Sequence, residues 1–145
     1  MVNQNSVEKA ELTSSCKITP RIMPRMPFSI YDHMSFYVGD MFVFCGGHKK
    51  PGLVSKQCFG VKSTTGSAWT ALADIPRFLF NSADTTIKNK AYLIGGFEEE
   101  PIDSVSSFDS DIGKWAEEVK LSRGRSSACA VSYGDTLYVT GEVVS

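Results

Sequence analysis

The residues best able to do covalent chemistry are few here, and their spacing is poor for it. His33 and His48 are the only two histidines. Ser–His–Asp catalysis needs a histidine beside a serine on a sharp elbow, and no Gly-x-Ser-x-Gly is present. Each histidine therefore reads as an ordinary loop or edge residue, and no catalytic residue is assigned. The four cysteines, Cys16, Cys45, Cys58 and Cys129, contain no Cys-x-x-Cys pair, which disfavours zinc and iron–sulfur sites. Gly46-Gly47 and Gly95-Gly96 close apolar runs without the Gly-Lys-Ser/Thr and helix that a phosphate cradle needs. No metal and no cofactor is expected. The thiols are expected reduced, in a cytoplasmic protein. Cys45 and Cys129 fall in β-like runs and are expected buried and inert.

Binding chemistry is better represented. Arg25, Arg77, Arg123 and Arg125 fall in links between apolar runs, and guanidinium forks pair bidentately with carboxylates. His48 and the acidic run Glu98-Glu99-Glu100 fall in loops. Together they suit an acidic or mixed-charge peptide. The plainer reading makes the arginines linkers between units and the glutamates a solvated loop.

Bulk properties narrow the classes. The chain has 145 residues, 42% of them apolar, which fits one globular domain. Lys plus Arg is 15 and Asp plus Glu is 16, so neither a nucleic-acid binder nor a polybasic membrane tether is expected. No apolar run approaches the ~18 residues of a membrane span.

The elements that position these residues repeat. Tyr37 to Gly47, Ile87 to Gly96 and Tyr133 to Gly141 each read as a polar turn, a short β-rich run and glycine. Trp69 and Trp115 are 46 apart, as are Arg77 and Arg123. Gly39-Asp40, Asn89-Lys90 and Gly134-Asp135 suit tight hairpins. A β-like run precedes each turn: Met34 to Val38, Asn81 to Ile87 and Ser127 to Tyr133. The small residues of Ser127-Ala128-Cys129-Ala130 suit a crowded innermost strand. Third strands are expected at Lys56 to Val61 and Ser104 to Asp109. Fourth strands are expected from Trp69 and from Trp115.

These residues resemble the kelch repeat: a Pro-Arg lead, an inner strand, a hairpin, a second strand ending in Gly-Gly, an aromatic-Asp pair and a tryptophan. Pro76-Arg77, Gly95-Gly96, Phe108-Asp109 and Trp115 match. So do Pro24-Arg25, Gly46-Gly47 and Trp69, although Phe59-Gly60 replaces the aromatic-Asp pair. In the third unit Thr140-Gly141 replaces Gly-Gly. The resemblance implies an all-β fold of four-stranded antiparallel propeller blades. It also implies protein interaction, as an adaptor or scaffold, through loops at His48 to Ser55 and Phe97 to Asp103. Gly46, Gly47, Gly95, Gly96, Gly141, Trp69 and Trp115 are then structural. Enzymatic readings, such as a sugar-binding enzyme using the channel, or a purely structural half-propeller, stay open beside it.

The ends are expected to be half-blades within a single domain, 1–145. Residues 1–19 would supply strands three and four, with Cys16 at the tryptophan place. Residues 20–75 and 76–121 would be whole blades, and 122–145 strands one and two. Three blades' worth falls below the four to eight of closed propellers. A homodimer joined through the split blades would close a six-bladed ring. A fragment completed by further blades and a collapsed three-unit fold are the alternatives.

Overall fold

The computed structural model describes short strands at 9–11 and 17–19 and the stretches 23–63 and 68–141. Among the described residues all regular structure is β, and no helix is long and apolar enough to cross a membrane. In chain order the strands are β1 (Lys9–Glu11), β2 (Lys17–Thr19), β3 (Met34–Val38), β4 (Met41–Cys45), β5 (His48–Lys50), β6 (Leu53–Val54) and β7 (Cys58–Lys62). There follow β8 (Thr70–Leu72), β9 (Ala83–Ile87), β10 (Lys90–Ile94), β11 (Val105–Asp109), β12 (Lys114–Glu117), β13 (Cys129–Tyr133) and β14 (Thr136–Thr140). Two sheets have four strands in simple up-and-down order, β3-β4-β7-β8 and β9-β10-β11-β12. The pairs β1-β2 and β13-β14 make two-stranded sheets, and β5-β6 is a small separate hairpin.

Side-chain alternation explains how the sheets stand. Along β3, Met34, Phe36 and Val38 are buried while Ser35 and Tyr37 are exposed, the period-two pattern of a strand. The register Met34↔Cys45 and Phe36↔Val43 adds Val43 and Cys45 to the buried face. That face meets Ala91, Leu93 and Phe108 of the next sheet, with Ile75 and Leu79 of the intervening link filling between them. A second core joins Ala83, Ile94 and Val105 to Ala130, Leu137 and Val139 of β13-β14. Burying a side chain such as Phe108 contributes about 1.5–3 kcal/mol. The first strands of successive sheets adjoin: Thr86 of β9 bonds Tyr37 of β3, and Ser132 of β13 bonds Thr86. Sheets stacked face to face with their first strands side by side are the radial arrangement of propeller blades.

Several expectations need correction. Cys45 and Cys58, opposite each other on β4 and β7, form a disulfide with Cα atoms 4.2 Å apart, so two of the four thiols are not reduced. Sequence spacing hides this, because 13 residues separate two cysteines that a hairpin excursion returns to the same register. Cys129 is exposed rather than buried, since it lies on the β13 face that no described sheet covers. The loop after Gly47 contains β5-β6, with Gly52 at φ +75° in its turn. The expected tryptophan place at Cys16 lies outside the described residues.

Candidate functional site

In up-and-down sheets, the loops between second and third strands share one end with the links from each fourth strand to the next first strand. That end is the loop-bearing face, and it gathers most of the residues singled out above. Its floor is built by repetition. The bridge Tyr31↔His48 in the first unit matches the bridge Phe80↔Phe97 in the second. His48 stacks on Tyr31 with ring centroids 5.1 Å apart, Phe80 lies 4.3 Å beyond His48, and Phe97 lies 5.4 Å from Phe80. His48 thus stands where the second unit has a phenylalanine. Its Nδ1 is 3.7 Å from Asp32 Oδ2, an electrostatic contact beyond hydrogen-bond reach. Packing explains this histidine.

The glycine pairs allow the chain to leave each second strand. Gly47 has φ +74°, and a Cβ there would meet the carbonyl of Tyr31 and the backbone of His33. Gly95 and Gly96 are also in the positive-φ region, and a Cβ on Gly95 would strike the Arg125 carbonyl. Each tryptophan clasps the link that enters its own sheet. Trp69 donates Nε1–H to Pro24 O and Trp115 to Ala73 O, both at 3.0 Å. Trp115 also packs between Phe36 and Phe108 across the first core.

The arginines have separate fates. Arg77 Nη1 lies 3.3 Å from Glu98 Oε2, and its Nη2 lies 3.9 Å from Glu117 Oε1. Arg125 donates to Gly141 O at 3.2 Å, tying its link to the end of β14. Arg25 and Arg123 are exposed and ion-paired to no described residue. Glu99 is exposed beside Glu98. The structure therefore joins Arg77 with Glu98 and leaves the rest dispersed around the face.

Sequence reading missed a cleft on this face. It lies between the β5-β6 hairpin and the link at 74–78, has a volume of about 240 Å³, and is open to solvent. Leu53 and Phe78 line it with Lys49, Lys56 and Asp74. Lys56 Nζ sits 5.0 Å over the Phe78 ring, and Lys49 Nζ 4.2 Å over Phe28 while contacting Gln57 Oε1. The available signal was Lys49-Lys50-Pro51-Gly52, a basic pair before a turn dipeptide.

Among the described residues three titrating groups are displaced from their ordinary range, and none lines the cleft; the first is Lys88, raised by its side-chain hydrogen bond to Asp135. Burial pushes Asp84, on first strand β9, up to about 6, with the Ser35 backbone N–H opposing the rise. Burial lowers His33, against the pull of Asp32. Among the described residues no group of three His, Cys, Asp or Glu side chains is placed to hold a metal ion.

Four-stranded sheets in radial order, closed by Gly-Gly and clasped by tryptophan, define part of a β-propeller. The chain is 28% identical over 115 residues to Kelch-like protein 36 of Rattus norvegicus and of Mus musculus, covering 74% of this chain. The Bos taurus protein of that name matches equally. The chain spans 18% of the length of these relatives. The solved structure of YjhT superposes with a TM-score of 0.68 at 18% identity, over 83% of this chain and 36% of that one, which speaks for the fold. No family model matches. The fold is that of propeller blades, and the sequence is similar to that of kelch-like proteins.

Proposed function

We propose that the chain is a protein-interaction module or scaffold whose loop-bearing face takes an acidic or mixed-charge peptide. The units are taken as 1–19, 20–75, 76–121 and 122–145, in one half of a ring that a second copy completes. The cleft carries this reading. Two lysines beside an exposed phenylalanine and leucine form an apolar foothold with a basic rim, as peptide contact residues do. Its ~240 Å³ is below the roughly 300–1,000 Å³ of small-molecule pockets and suits a single anchoring side chain. The exposed Arg25 and Arg123 would extend the basic rim around the mouth. A cytoplasmic setting is part of the proposal, and the Cys45–Cys58 disulfide is the observation against it, since such bonds are rare in that compartment.

The test is a fluorescence-anisotropy titration against peptides carrying an aromatic or leucine anchor flanked by glutamates. Lys56→Glu and Phe78→Ser are expected to weaken binding at least about tenfold, and the affinity should fall with added salt. Unchanged affinity in both variants would remove the cleft from the interface.

A further inference from the structure

Successive units are joined by the same bonds at the same places, so the unused ends of those bonds can be named. Asp32, Asn81 and Ser127 each stand two residues before a first strand, and each has φ between 50° and 54°. Ser127 N–H donates to Asn81 O at 2.9 Å, and Asn81 N–H points to Asp32 O at 3.5 Å. One step along, fourth residues of the first strands repeat the rule with side chains. Thr86 Oγ1 donates to Tyr37 O and Ser132 Oγ to Thr86 O, both at 3.0 Å. In these two ladders each unit donates to the one before it, while Gly47 N–H and Gly96 N–H donate the other way, to Leu79 O and Arg125 O. Among the described residues the backbone ladder stops with a donor at Asp32 N–H and an acceptor at Ser127 C=O.

The faces obey the same rule. Val38 and Val43 face the next sheet and are 1% and 2% exposed. Their equivalents on β13 and β14, Tyr133 and Tyr138, are 80% and 54% exposed. In the other direction, Ala91 and Leu93 face the preceding sheet and are buried; Phe44, the counterpart of Leu93, is buried under Phe28, Phe59 and Trp69, whereas Phe42, the counterpart of Ala91, is exposed together with its cross-strand partner Tyr37. One bare face therefore offers Val131, Tyr133 and Tyr138, and the other offers Tyr37 and Phe42. Solvent-exposed aromatic and aliphatic groups in this number form a patch that monomers seldom leave uncovered.

We infer that the occupant of both faces is a second copy of this chain, seated with two-fold symmetry so that Asp32 N–H of each copy donates to Ser127 C=O of the other. This rests on the kelch-type reading and specifies its seam. Both halves of the seam are in one sequence: among the described residues β13-β14 pairs with no outer strand, and β1-β2 with no inner one. Joined across copies they make one four-stranded sheet of the kind the chain already has twice. Each copy then accounts for three sheets, and the pair for six, within the range of closed propellers. The Val131–Tyr133–Tyr138 face of one copy closes over Tyr37 and Phe42 of the other, and the contact occurs twice.

Light scattering coupled to size exclusion on the full chain at micromolar concentration should give twice the chain mass. Val131→Arg with Tyr138→Arg should return a folded single chain, while Ile112→Arg, exposed on a turn away from the seam, should leave the doubled mass. In a Cys16→Ser, Cys129→Ser background, chains bearing Asp32→Cys mixed with chains bearing Ser127→Cys should form a disulfide-linked pair under mild oxidation, and neither should do so alone. A single-chain mass for the unmodified protein overturns the inference and leaves further blades of a longer chain as the cover. A doubled mass without the mixed cross-link overturns this seam. Loss of peptide binding with the doubled mass intact would count against the function proposed above and not against the seam.

Discussion

Asp84 holds a carboxyl group on a first strand otherwise made of alanine, threonine and isoleucine. Burial disfavours its charge, and its pKa of about 6 lies above the unfolded value of 3.8. A raised folded pKa means that the native state binds the extra proton. The associated stability is complete below pH 3.8 and is lost as pH rises through about 6. His33 works in the opposite sense, because its lowered pKa makes acidification costly. The two slopes overlap, so the wild-type curve alone does not separate them. Asp84→Asn does, since His33 is common to both proteins. The melting temperature of the variant relative to wild type should climb as pH is taken from 4 to 7, read by differential scanning calorimetry in a buffer series. A constant offset across that range would show that Asp84 titrates normally. In the sequence this residue reads like any polar position in a half-buried strand, because its hydrogen-bond partner, the Ser35 backbone, belongs to a neighbouring unit far away along the chain.

At the scale of the element, the first full sheet is fastened twice. Trp69 clasps its incoming link, and Cys45–Cys58 closes the excursion between its second and third strands. A loop of this length gives about 3 kcal/mol by restricting the unfolded chain. Paired replacement of Cys45 and Cys58 by alanine should lower the unfolding free energy, read by denaturant titration, by about that amount or somewhat less. Reduction with unfolding should release two more reactive thiols than the native protein offers to a thiol reagent. Equal counts before and after reduction would contradict the disulfide. The strands themselves were legible in the residues. Met34 to Val38 was read to the residue, because alternation and a Gly-Asp turn agree there. The β5-β6 hairpin was not, since His48-Lys49-Lys50 has little strand character and is held by the Tyr31↔His48 bridge. Cross-strand cysteine pairing was illegible for the same reason: it depends on register, which a 13-residue gap does not report.

The whole molecule was legible as repeats, because the tryptophans and arginines recur at one spacing. The functional face was less so. Arginines expected to rim a mouth turned out to be partly spent, Arg77 on Glu98 and Arg125 on Gly141. The cleft arises from a hairpin and a link 20 residues apart that only the fold brings together. If two copies share the seam described above, folding and association are linked. The melting temperature should then rise with protein concentration, by mass action, over a hundredfold dilution series. A concentration-independent transition would mean that unfolding precedes or ignores the contact.

The two full sheets do not carry the same loop between their second and third strands. The first presents a protruding basic hairpin with Lys49 and Lys50, and the second a tight bend through Phe97 to Pro101 with Glu98, Glu99 and Glu100. A polypeptide draped from one to the other would meet positive charge and then negative charge, in a fixed order. If the proposed peptide lies across this face, its binding is directional: a ligand and its retro-sequence, identical in composition, would be distinguished by which end lies over the lysines.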